Sequence, residues 1–185
     1  KDDKPRENRV AAFISNCNAN NDRLKWLTGL MDYFPVDSYG TCENNVKKLS
    51  SSLKRSSPTW QTSKKNLLKQ YKFAIAFENS YLPGYVSEKI YDAYEAGALP
   101  IWLGTPDVDK VVPGPKSYID TADFENPKQL AKHLLMITKN QTLYNSYFQW
   151  NEAELQRLSK KACEKPVYCR ICEKALEHRD ENNEQ

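Results

Sequence analysis

The sequence predicts a single domain of the α/β class, with a doubly wound, mostly parallel sheet and helices on both faces. Short apolar runs typical of buried strands alternate with segments of helical spacing along almost the whole chain. The first strand, helix and second strand fit within about 30 residues, which is the size of a βαβ unit. At 185 residues, with 39% hydrophobic and 11% aromatic content, the chain can build one core and is too aromatic for disorder.

Five segments are predicted as strands because each is a short run of apolar or β-branched residues bounded by turn residues. The runs VAAFIS, YKFAIAFE and LPIWLG are the longest and should be buried on both faces. In chain order the predicted strands are residues 10–15, 36–39, 71–78, 99–104 and 117–120. Ligands of open parallel sheets bind beyond the carboxyl ends of the strands, so the turns after these runs are where a site is expected.

Five helices are predicted between and after the strands. In the first, Leu24, Leu27 and Leu30 recur at helical spacing before Pro35 ends the segment. In the third, Ser87 is placed to cap the amino end and Gly97 to end the helix. The predicted helices are residues 22–34, 64–70, 86–96, 126–138 and 143–161.

The positive charge is concentrated in one stretch. Between Glu43 and Glu78 there is no acidic residue and the stretch carries +8, although the whole chain carries only +3. Such a field suits a phosphate-bearing ligand or nucleic acid, whereas the plainer interpretation is a solvated basic loop. A surface for single strands would interleave aromatic residues with the cations, and between Asn44 and Gln70 only Trp60 qualifies, so we expect no nucleic-acid partner.

Five cysteines are many for a cytosolic chain of this length and favour structural disulfides in an oxidising compartment. A zinc site at Cys169 and Cys172 would lack a second pair of ligands, and a redox CxxC would lie at the head of a βαβ unit. Cys17 and Cys42 follow the first two strands, which are neighbours in a βαβ unit, so a disulfide between them is possible. The candidates are Cys17, Cys42, Cys163, Cys169 and Cys172, and their odd number favours a partner outside this chain.

Two further features concern the compartment of the protein. Asn140 begins an Asn-Gln-Thr sequon and is a candidate for N-glycosylation. No apolar run approaches the roughly 20 residues that cross a bilayer, and the charged amino terminus has no apolar h-region. We therefore expect neither a membrane anchor nor a signal peptide within this chain.

The candidate functional residues lie in two strand-to-helix turns. After the first strand, SNCNANNDR brings Arg23 to the first turn of a helix, where free N–H groups favour anions. After the third strand, FENSYLPGYVSEK contains Glu78, Asn79, Tyr85, Glu88 and Lys89. Neither turn has the glycines of a Walker loop or of a dinucleotide fingerprint. Each charged residue alone is typical of a surface ion pair or solvated cap, but together they supply cations for a diphosphate and a carboxylate for hydroxyl groups.

The segment YKFAIAFENSYLPGYVSEKIYDAYEAGALPIWLG, residues 71–104, closely resembles the signature of the α1,3/4-fucosyltransferases, glycosyltransferase family 10. That signature runs roughly K-F-x-x-x-F-E-N-S, then Y-V-T-E-K, then a small-residue segment and P-[IV]-x-x-G, and Ser87 stands where the family usually has Thr. The resemblance extends to SNCNANNDR and VDSYGTCENN upstream, and to SYIDTADFENPKQLAKHL and LYNSYFQW downstream. It covers about residues 10–172, and a match of this length is specific although its parts are not.

The resemblance implies the C-terminal half of a GT-B glycosyltransferase, which has two Rossmann-like domains and binds the donor mainly through the second. We expect a charged tail at residues 1–9, a GDP-fucose-binding Rossmann-like domain at residues 10–172 and a flexible acidic tail at residues 173–185. Arg23 and Lys89 would neutralise the diphosphate, and Glu88 would be the catalytic residue that binds ribose or fucose hydroxyls and stabilises an oxocarbenium-like centre. The substrate-binding residues implied in this way are Arg23, Lys72, Asn79, Tyr85, Glu88 and Lys89.

The same resemblance implies the partners. They would be GDP-fucose, an oligosaccharide or glycoprotein acceptor, and an N-terminal acceptor-binding domain that carries the catalytic base, for which no segment of this chain is a match. This chain alone should therefore bind GDP-fucose weakly and turn over poorly or not at all. No essential metal or cofactor is expected, because two cationic side chains can neutralise the charge that a divalent ion would, although Mn²⁺ could assist product release.

Compartment and role follow from the resemblance as expectations. The full-length protein would be a type II membrane protein of the Golgi lumen. The three terminal cysteines could pair among themselves, or the CxxC could pair with cysteines of the absent half. The main alternative to a fucosyltransferase domain is a non-catalytic Rossmann-like module for binding or interaction.

Overall fold

Five parallel strands form one sheet in the order β2-β1-β3-β4-β5. The computed structural model describes residues 7–47 and 50–164, with only the backbone of 161–164. The strands are β1 (Glu7–Ala12), β2 (Val36–Ser38), β3 (Tyr71–Phe77), β4 (Leu99–Leu103) and β5 (Ile119–Asp120). This arrangement confirms the predicted doubly wound α/β fold.

The strand order reverses between β1 and β3. The chain leaves β1 for β2 on one side and then returns to place β3 on the other side of β1. The helices are α1 (Arg23–Met31), α2 (Trp60–Leu68), α3 (Glu88–Glu95), α4 (Pro127–Lys139), α5 (Gln141–Ser146) and α6 (Glu152–Glu164). In sheets of this kind, loops on either side of the reversal diverge and leave a crevice at the carboxyl ends of the strands.

The core has one layer on each face of the sheet, because side chains alternate along every strand. On one face, residues such as Val10, Phe73 and Ile101 pack against α1 and α4. On the other face, Ala76 and Trp102 pack against α3 and α6, with α2 beside them. Both faces are therefore covered by helices, as the apolar runs in the sequence predict.

Several element boundaries differ from the prediction. β1 begins at Glu7 rather than at residue 10, because the Glu7 amide donates to the carbonyl of Gln70 at 2.8 Å and Arg9 Nε donates to Asp37 at 2.8 Å. α2 begins at Trp60, four residues before the predicted start. Polar residues at these ends form regular structure through partners that are distant in sequence.

The single last helix predicted at residues 143–161 is wrong, because α5 and α6 are separate helices. The Asn151 side chain accepts the amide of Ala153 at 2.8 Å, which starts a new helix. Between the two helices, the Trp150 ring packs edge-on against Tyr94 with centroids 5.6 Å apart. The half-buried Trp150 thus lies at the break between the two helices.

The ends of α3 agree only in part with expectation. Gly97 has a φ of 65°, which confirms it as the residue that ends the helix. Ser87 is at the cap position, but its hydroxyl makes no capping hydrogen bond, so the capping role predicted for it is wrong.

In the part of the chain that the structure describes, no helix is long and apolar enough to span a bilayer. Residues 1–6 and the tail at residues 173–185 lie outside the described residues.

Candidate functional site

Two strand-to-helix junctions meet at the reversal point of the sheet. The first junction leads from β1 to α1 and contains Asn16, Asn21 and Arg23, and the second leads from β3 to α3. The side chain of Asn21 donates to the backbone carbonyl of Glu78 at 2.9 Å and ties the two junctions together. The structure therefore brings residues from both predicted turns into one region.

Arg23 is the cation of the first junction, and it is 2% exposed. Its guanidinium donates to the side-chain oxygen of Asn79 and to the backbone carbonyl of Asn16. Burial lowers the pKa of Arg23, while Glu78 and Tyr85 act in the opposite direction. Its Nε is buried and has no hydrogen-bond acceptor among the described residues. The guanidinium is thus a buried charge whose hydrogen-bond acceptors are neutral oxygens and which has no carboxylate partner among the described residues.

Lys89 is the cation of the second junction, and a buried carboxylate holds it. The Glu78 side chain is fully buried and accepts from Lys89 Nζ at 2.7 Å. It also accepts from the amide of Ser87 at 2.7 Å and from the Ser87 hydroxyl at 2.7 Å. Lys89 Nζ in turn donates to the Ser87 hydroxyl oxygen at 2.6 Å, which explains why that hydroxyl does not cap α3. Glu78 is thus an internal hydrogen-bonding residue.

Glu88 is the first residue of α3 and is exposed. Desolvation acts to raise its pKa, but Lys89, the Glu88 backbone, Lys64 and Ser87 together hold the pKa below its ordinary value. A carboxylate in the first turn of a helix is also favoured by the helix dipole. Glu88 is therefore ionised at neutral pH and can accept hydrogen bonds from hydroxyl groups.

Asn79 and Tyr85 also lie at this edge, as predicted. Asn79 orients the guanidinium of Arg23 through its side-chain oxygen. Tyr85 is half-buried and close enough to Arg23 to affect its pKa. Gly84, just before it, has a φ of 72° and supplies the turn that the backbone makes there.

The structure does not bring Lys72 to the site. Lys72 is the second residue of β3, at the opposite end of the strand from Asn79. At about 3.3 Å per residue, the two residues are roughly 20 Å apart along the strand. Its ammonium instead lies 5.2 Å from the centroid of the Tyr144 ring. The predicted contact of Lys72 with the nucleotide is therefore withdrawn.

The basic stretch is partly neutralised by α3. Lys64 is buried and donates to Asp92 at 2.7 Å, and Lys65 pairs with Glu95. Both carboxylates come after the stretch in sequence, so counting charges within it could not find them. The positive field of this region is smaller than the sequence suggests.

A disulfide joins Cys17 of the first junction to Cys42, which follows β2, with Cα atoms 5.6 Å apart. This agrees with the predicted neighbourhood of the first two strands. The side chain of Cys163 and both residues Cys169 and Cys172 lie outside what the structure describes. Asn140 is exposed between α4 and α5, where its side chain accepts the amide of Leu143 at 3.0 Å, and its glycosylation stays a prediction.

The contributions of Asn16, Asn21 and Ser87 were not predicted. The run of asparagines before α1 was a visible signal, but which backbone or side-chain atom each would use depends on how the two junctions meet. Across residues 7–47 and 50–164, no group of three or more His, Cys, Asp or Glu residues could hold a metal ion.

A parallel α/β sheet whose strand order reverses at its centre, with helices on both faces, defines a domain of the Rossmann-like class. The sequence model described as glycosyltransferase family 10 (fucosyltransferase), C-term, matches residues 3–185. The chain belongs to this family.

Relatives of the chain are named fucosyltransferases. It is 40% identical over 144 residues to "Glycoprotein 3-alpha-L-fucosyltransferase A" of Drosophila melanogaster, covering 77% of this chain and 27% of that protein. It is 36% identical over 141 residues to "GDP-fucose protein O-fucosyltransferase 3" of Xenopus laevis, covering 76% and 30%. The chain thus spans about 30% of the length of the curated relatives it matches.

Solved structures agree with this assignment. A crystal structure of an alpha1,3-fucosyltransferase superimposes with a TM-score of 0.64 and 29% identity, covering 77% of this chain and 38% of that one. A crystal structure of an alpha1,3-fucosyltransferase with GDP-fucose gives a TM-score of 0.63 and 25% identity, covering 84% and 47%. This chain is accordingly a glycosyltransferase domain of the fucosyltransferase family.

Proposed function

We propose that this chain is the donor-binding domain of an inverting fucosyltransferase and holds GDP-fucose at the edge between β1 and β3. The observation that carries the proposal is the convergence of Arg23 and Lys89, from separate junctions, around Glu78. The similarity to an alpha1,3-fucosyltransferase with GDP-fucose supports the donor, and the relatives named for alpha-1,3 transfer support an α1,3 linkage to a glycan.

Arg23 would bind the diphosphate. Its charge is buried and its two acceptors are neutral oxygens, so a phosphate oxygen would be the first anion to contact it directly. Breaking the bond between the anomeric carbon and the β-phosphate oxygen leaves the electron pair on GDP. A fixed cation stabilises that developing charge more than it stabilises the bound donor, which lowers the barrier.

Lys89 would contact the same diphosphate from the other junction. Its ammonium is fixed by Glu78 and Ser87 and is partly exposed, with 19% of the side chain accessible. Glu88, the residue before Lys89, is ionised and exposed, so it can accept hydrogen bonds from ribose or fucose hydroxyls. Its negative charge would also stabilise the positive character of the anomeric carbon.

Inversion requires that the acceptor hydroxyl attack the anomeric carbon from the face opposite to GDP, while a base takes its proton. We assign that base to a part of the protein outside this chain, since the chain spans about 30% of its curated relatives. The Cys17–Cys42 disulfide supports an oxidising compartment, for which we propose the Golgi lumen.

Calorimetric titration of the 185-residue chain with GDP tests the donor site. Arg23→Met and Lys89→Met should each weaken binding about tenfold or more, the effect expected of a lost charge-assisted hydrogen bond. Lys25→Met removes an exposed lysine from the same helix as Arg23 and serves as the matched control, with no change expected. Circular dichroism confirms that each variant is folded. If folded Arg23→Met and Lys89→Met bind GDP as well as the parent chain, the proposal fails.

A further inference from the structure

The outer side of α4 combines positive charge with exposed apolar side chains. We define the α4 face by five exposed residues of this helix: Lys128, Lys132, Leu135, Met136 and Lys139. We propose that the α4 face binds the surface of an anionic lipid bilayer, with its lysines at the lipid headgroups and its two apolar side chains in the layer beneath them. This inference is independent of the donor site and of the function proposed above.

The residues of the α4 face form a single stripe. At 3.6 residues per turn, their five positions fall within about 100° of the helix circumference. The opposite side of α4 packs into the core through Leu130, Leu134 and Ile137, which are 0% exposed. The outer side of a surface helix is normally polar. α4 therefore buries one apolar stripe in the core and presents further apolar side chains outward.

Exposed apolar side chains are concentrated at this place. Among the residues that the structure describes, five large apolar side chains are exposed, and three of them lie on or beside the α4 face. Leu135 is 43% exposed, Met136 is 50% exposed, and Tyr33 near the end of α1 is 50% exposed. Single exposed apolar residues are ordinary, whereas a group of them indicates an interaction surface.

Tyr33 extends the α4 face at its amino end. A Cβ on Gly29 would come within 2.8 Å of the Pro127 side chain, so this glycine lets α1 approach the start of α4 closely. Tyr33 follows Gly29 by four residues, and its ring centroid lies 5.6 Å from Lys128 Nζ. A tyrosine has an apolar ring and a polar tip, which suits the boundary between lipid and water.

The positive charge of the α4 face is not neutralised within the described part of the chain. Residues 127–139 contain no acidic residue, and the three lysines have no ion-pair partner among the described residues. Glu125, which precedes the helix, accepts from Gln129 Nε2 at 2.7 Å. Asp32 is next to Tyr33 in the chain, so three lysines stand against one nearby carboxylate. The face is therefore complementary to a negatively charged surface.

The mixture of charged and apolar side chains favours a bilayer over a soluble polyanion. Anionic headgroups attract lysines, and binding to a bilayer also strengthens with the apolar area that enters the interface. The long lysine side chains can lay their apolar stems along the lipid while the ammonium groups stay at the headgroups. A soluble polyanion would use the lysines but leave Leu135 and Met136 in water. Only a bilayer surface offers a partner to both parts of the α4 face.

Cosedimentation of the 185-residue chain with lipid vesicles tests the proposal. The vesicles contain phosphatidylcholine alone or a mixture with phosphatidylserine, at 0.15 M salt, where charges beyond about 8 Å are screened. The parent chain should bind only the vesicles with phosphatidylserine. Lys128→Gln/Lys132→Gln/Lys139→Gln should weaken this binding about tenfold or more. Leu135→Gln/Met136→Gln should weaken it about fivefold or more, because the apolar contribution is lost.

Two matched variants control for the number of charges and of apolar side chains. Lys47→Gln/Lys54→Gln/Lys69→Gln removes three exposed lysines from the basic stretch. Tyr81→Gln/Leu82→Gln removes two apolar side chains that are 48% and 50% exposed elsewhere. Both should change vesicle binding less than about twofold, since screened charges act only locally. Glutamine keeps a favourable helix propensity, and circular dichroism confirms that each variant is folded.

Three results would overturn the proposal. The first is a parent chain that does not bind vesicles with phosphatidylserine. The second is an equal loss of binding in the variants of the α4 face and in their controls, which would place the contact elsewhere. The third is normal binding by Leu135→Gln/Met136→Gln, because the face would then act through charge alone and fit a soluble polyanion. Met136→Glu replaces the double variant if that variant does not fold, and should weaken binding about as much. GDP titration is a separate measurement, so the proposed function stands or fails independently.

Discussion

The junctions after β1 and after β3 hold their cations in different ways. Arg23 contacts only neutral oxygens, from Asn79 and Asn16, and the disulfide of Cys17 fixes its junction to the end of β2. Lys89 is paired with the buried carboxylate of Glu78. The first junction is therefore held by a covalent bond and its cation has no carboxylate partner among the described residues, whereas the cation of the second junction is held in an ion pair.

Because of this difference, we expect Arg23 to contribute mainly to the binding of an anion and Lys89 mainly to the geometry of the site. An anion that enters the crevice gains most from Arg23, since no carboxylate contacts that guanidinium. It gains less from Lys89, whose charge Glu78 already offsets, and the role of Lys89 is then more geometric. Removing the cation should accordingly cost affinity at the first junction, and stability as well at the second.

The largest effect on stability is expected from the bond that fixes the first junction. Cys17→Ser/Cys42→Ser removes a crosslink between residues 25 apart in sequence and should lower the free energy of unfolding by roughly 3 kcal/mol. Urea unfolding of oxidised parent and variant measures the difference. A reduced parent chain should match the variant, and equal stability of all three would show that the first junction does not depend on its crosslink.

A smaller loss is expected at the second junction. Lys89→Met leaves the Glu78 carboxylate buried with only Ser87 to donate to it, and should cost about 2 kcal/mol. Adding Glu78→Gln should recover most of this loss, because the unpaired charge is then removed. Urea unfolding of the single and double variants measures both steps. A double variant less stable than Lys89→Met would contradict the ion-pair account of this junction.

The contrast in binding follows from the contrast in charge. Arg23→Met removes one uncompensated positive charge, whereas Glu78→Gln/Lys89→Met removes a pair of zero net charge. The former should weaken GDP about tenfold more than the latter, about 1.4 kcal/mol. Calorimetry on the two folded variants decides the point, and equal losses would mean that the two junctions contribute alike.

The smallest effect is expected on the free energy of unfolding at acidic pH, and it concerns only the second junction. The pKa of Glu88 is lower in the folded chain than its ordinary value. Desolvation acts to raise this pKa, and Lys89 is the largest of the influences that lower it. The contribution of Glu88 to the stability of the fold is therefore fully present above its pKa in the unfolded chain, near 4.3. It is lost as the pH falls through the lower pKa of the folded chain. Glu88→Gln should flatten the stability curve between about pH 5 and 3, measured by urea unfolding at each pH. An unchanged slope would remove Glu88 from the charge balance of this junction.

Much of the fold was predictable because apolar runs such as those of β3 and β4 predict strands, and glycine and asparagine residues predict the turns between them. The reversal point followed from the order of elements, so the meeting of Arg23, Asn79 and Lys89 was also within reach. The burial of Glu78 and the hydroxyl of Ser87 were not, because both depend on how the loop after β3 closes over the strand end.

Errors arose where position along an element or a distant partner mattered. The sequence pattern places Lys72 among the nucleotide contacts, but Lys72 is the second residue of β3 and the candidate site lies beyond the other end of that strand. The start of β1 was missed because Glu7 and Arg9 are polar and are ordered by Gln70 and Asp37. Sequence patterns report burial well, but they do not report pairing between charged side chains from separate elements.

The pair Lys64 and Asp92 has a mechanical consequence. It links α2, which begins with Trp60, to α3, which begins with Glu88, through a buried contact of 2.7 Å. Lys65 and Glu95 form a second link between the same helices. We expect α2 and α3 to move as one rigid body, so any widening of the crevice must occur on the side of α1.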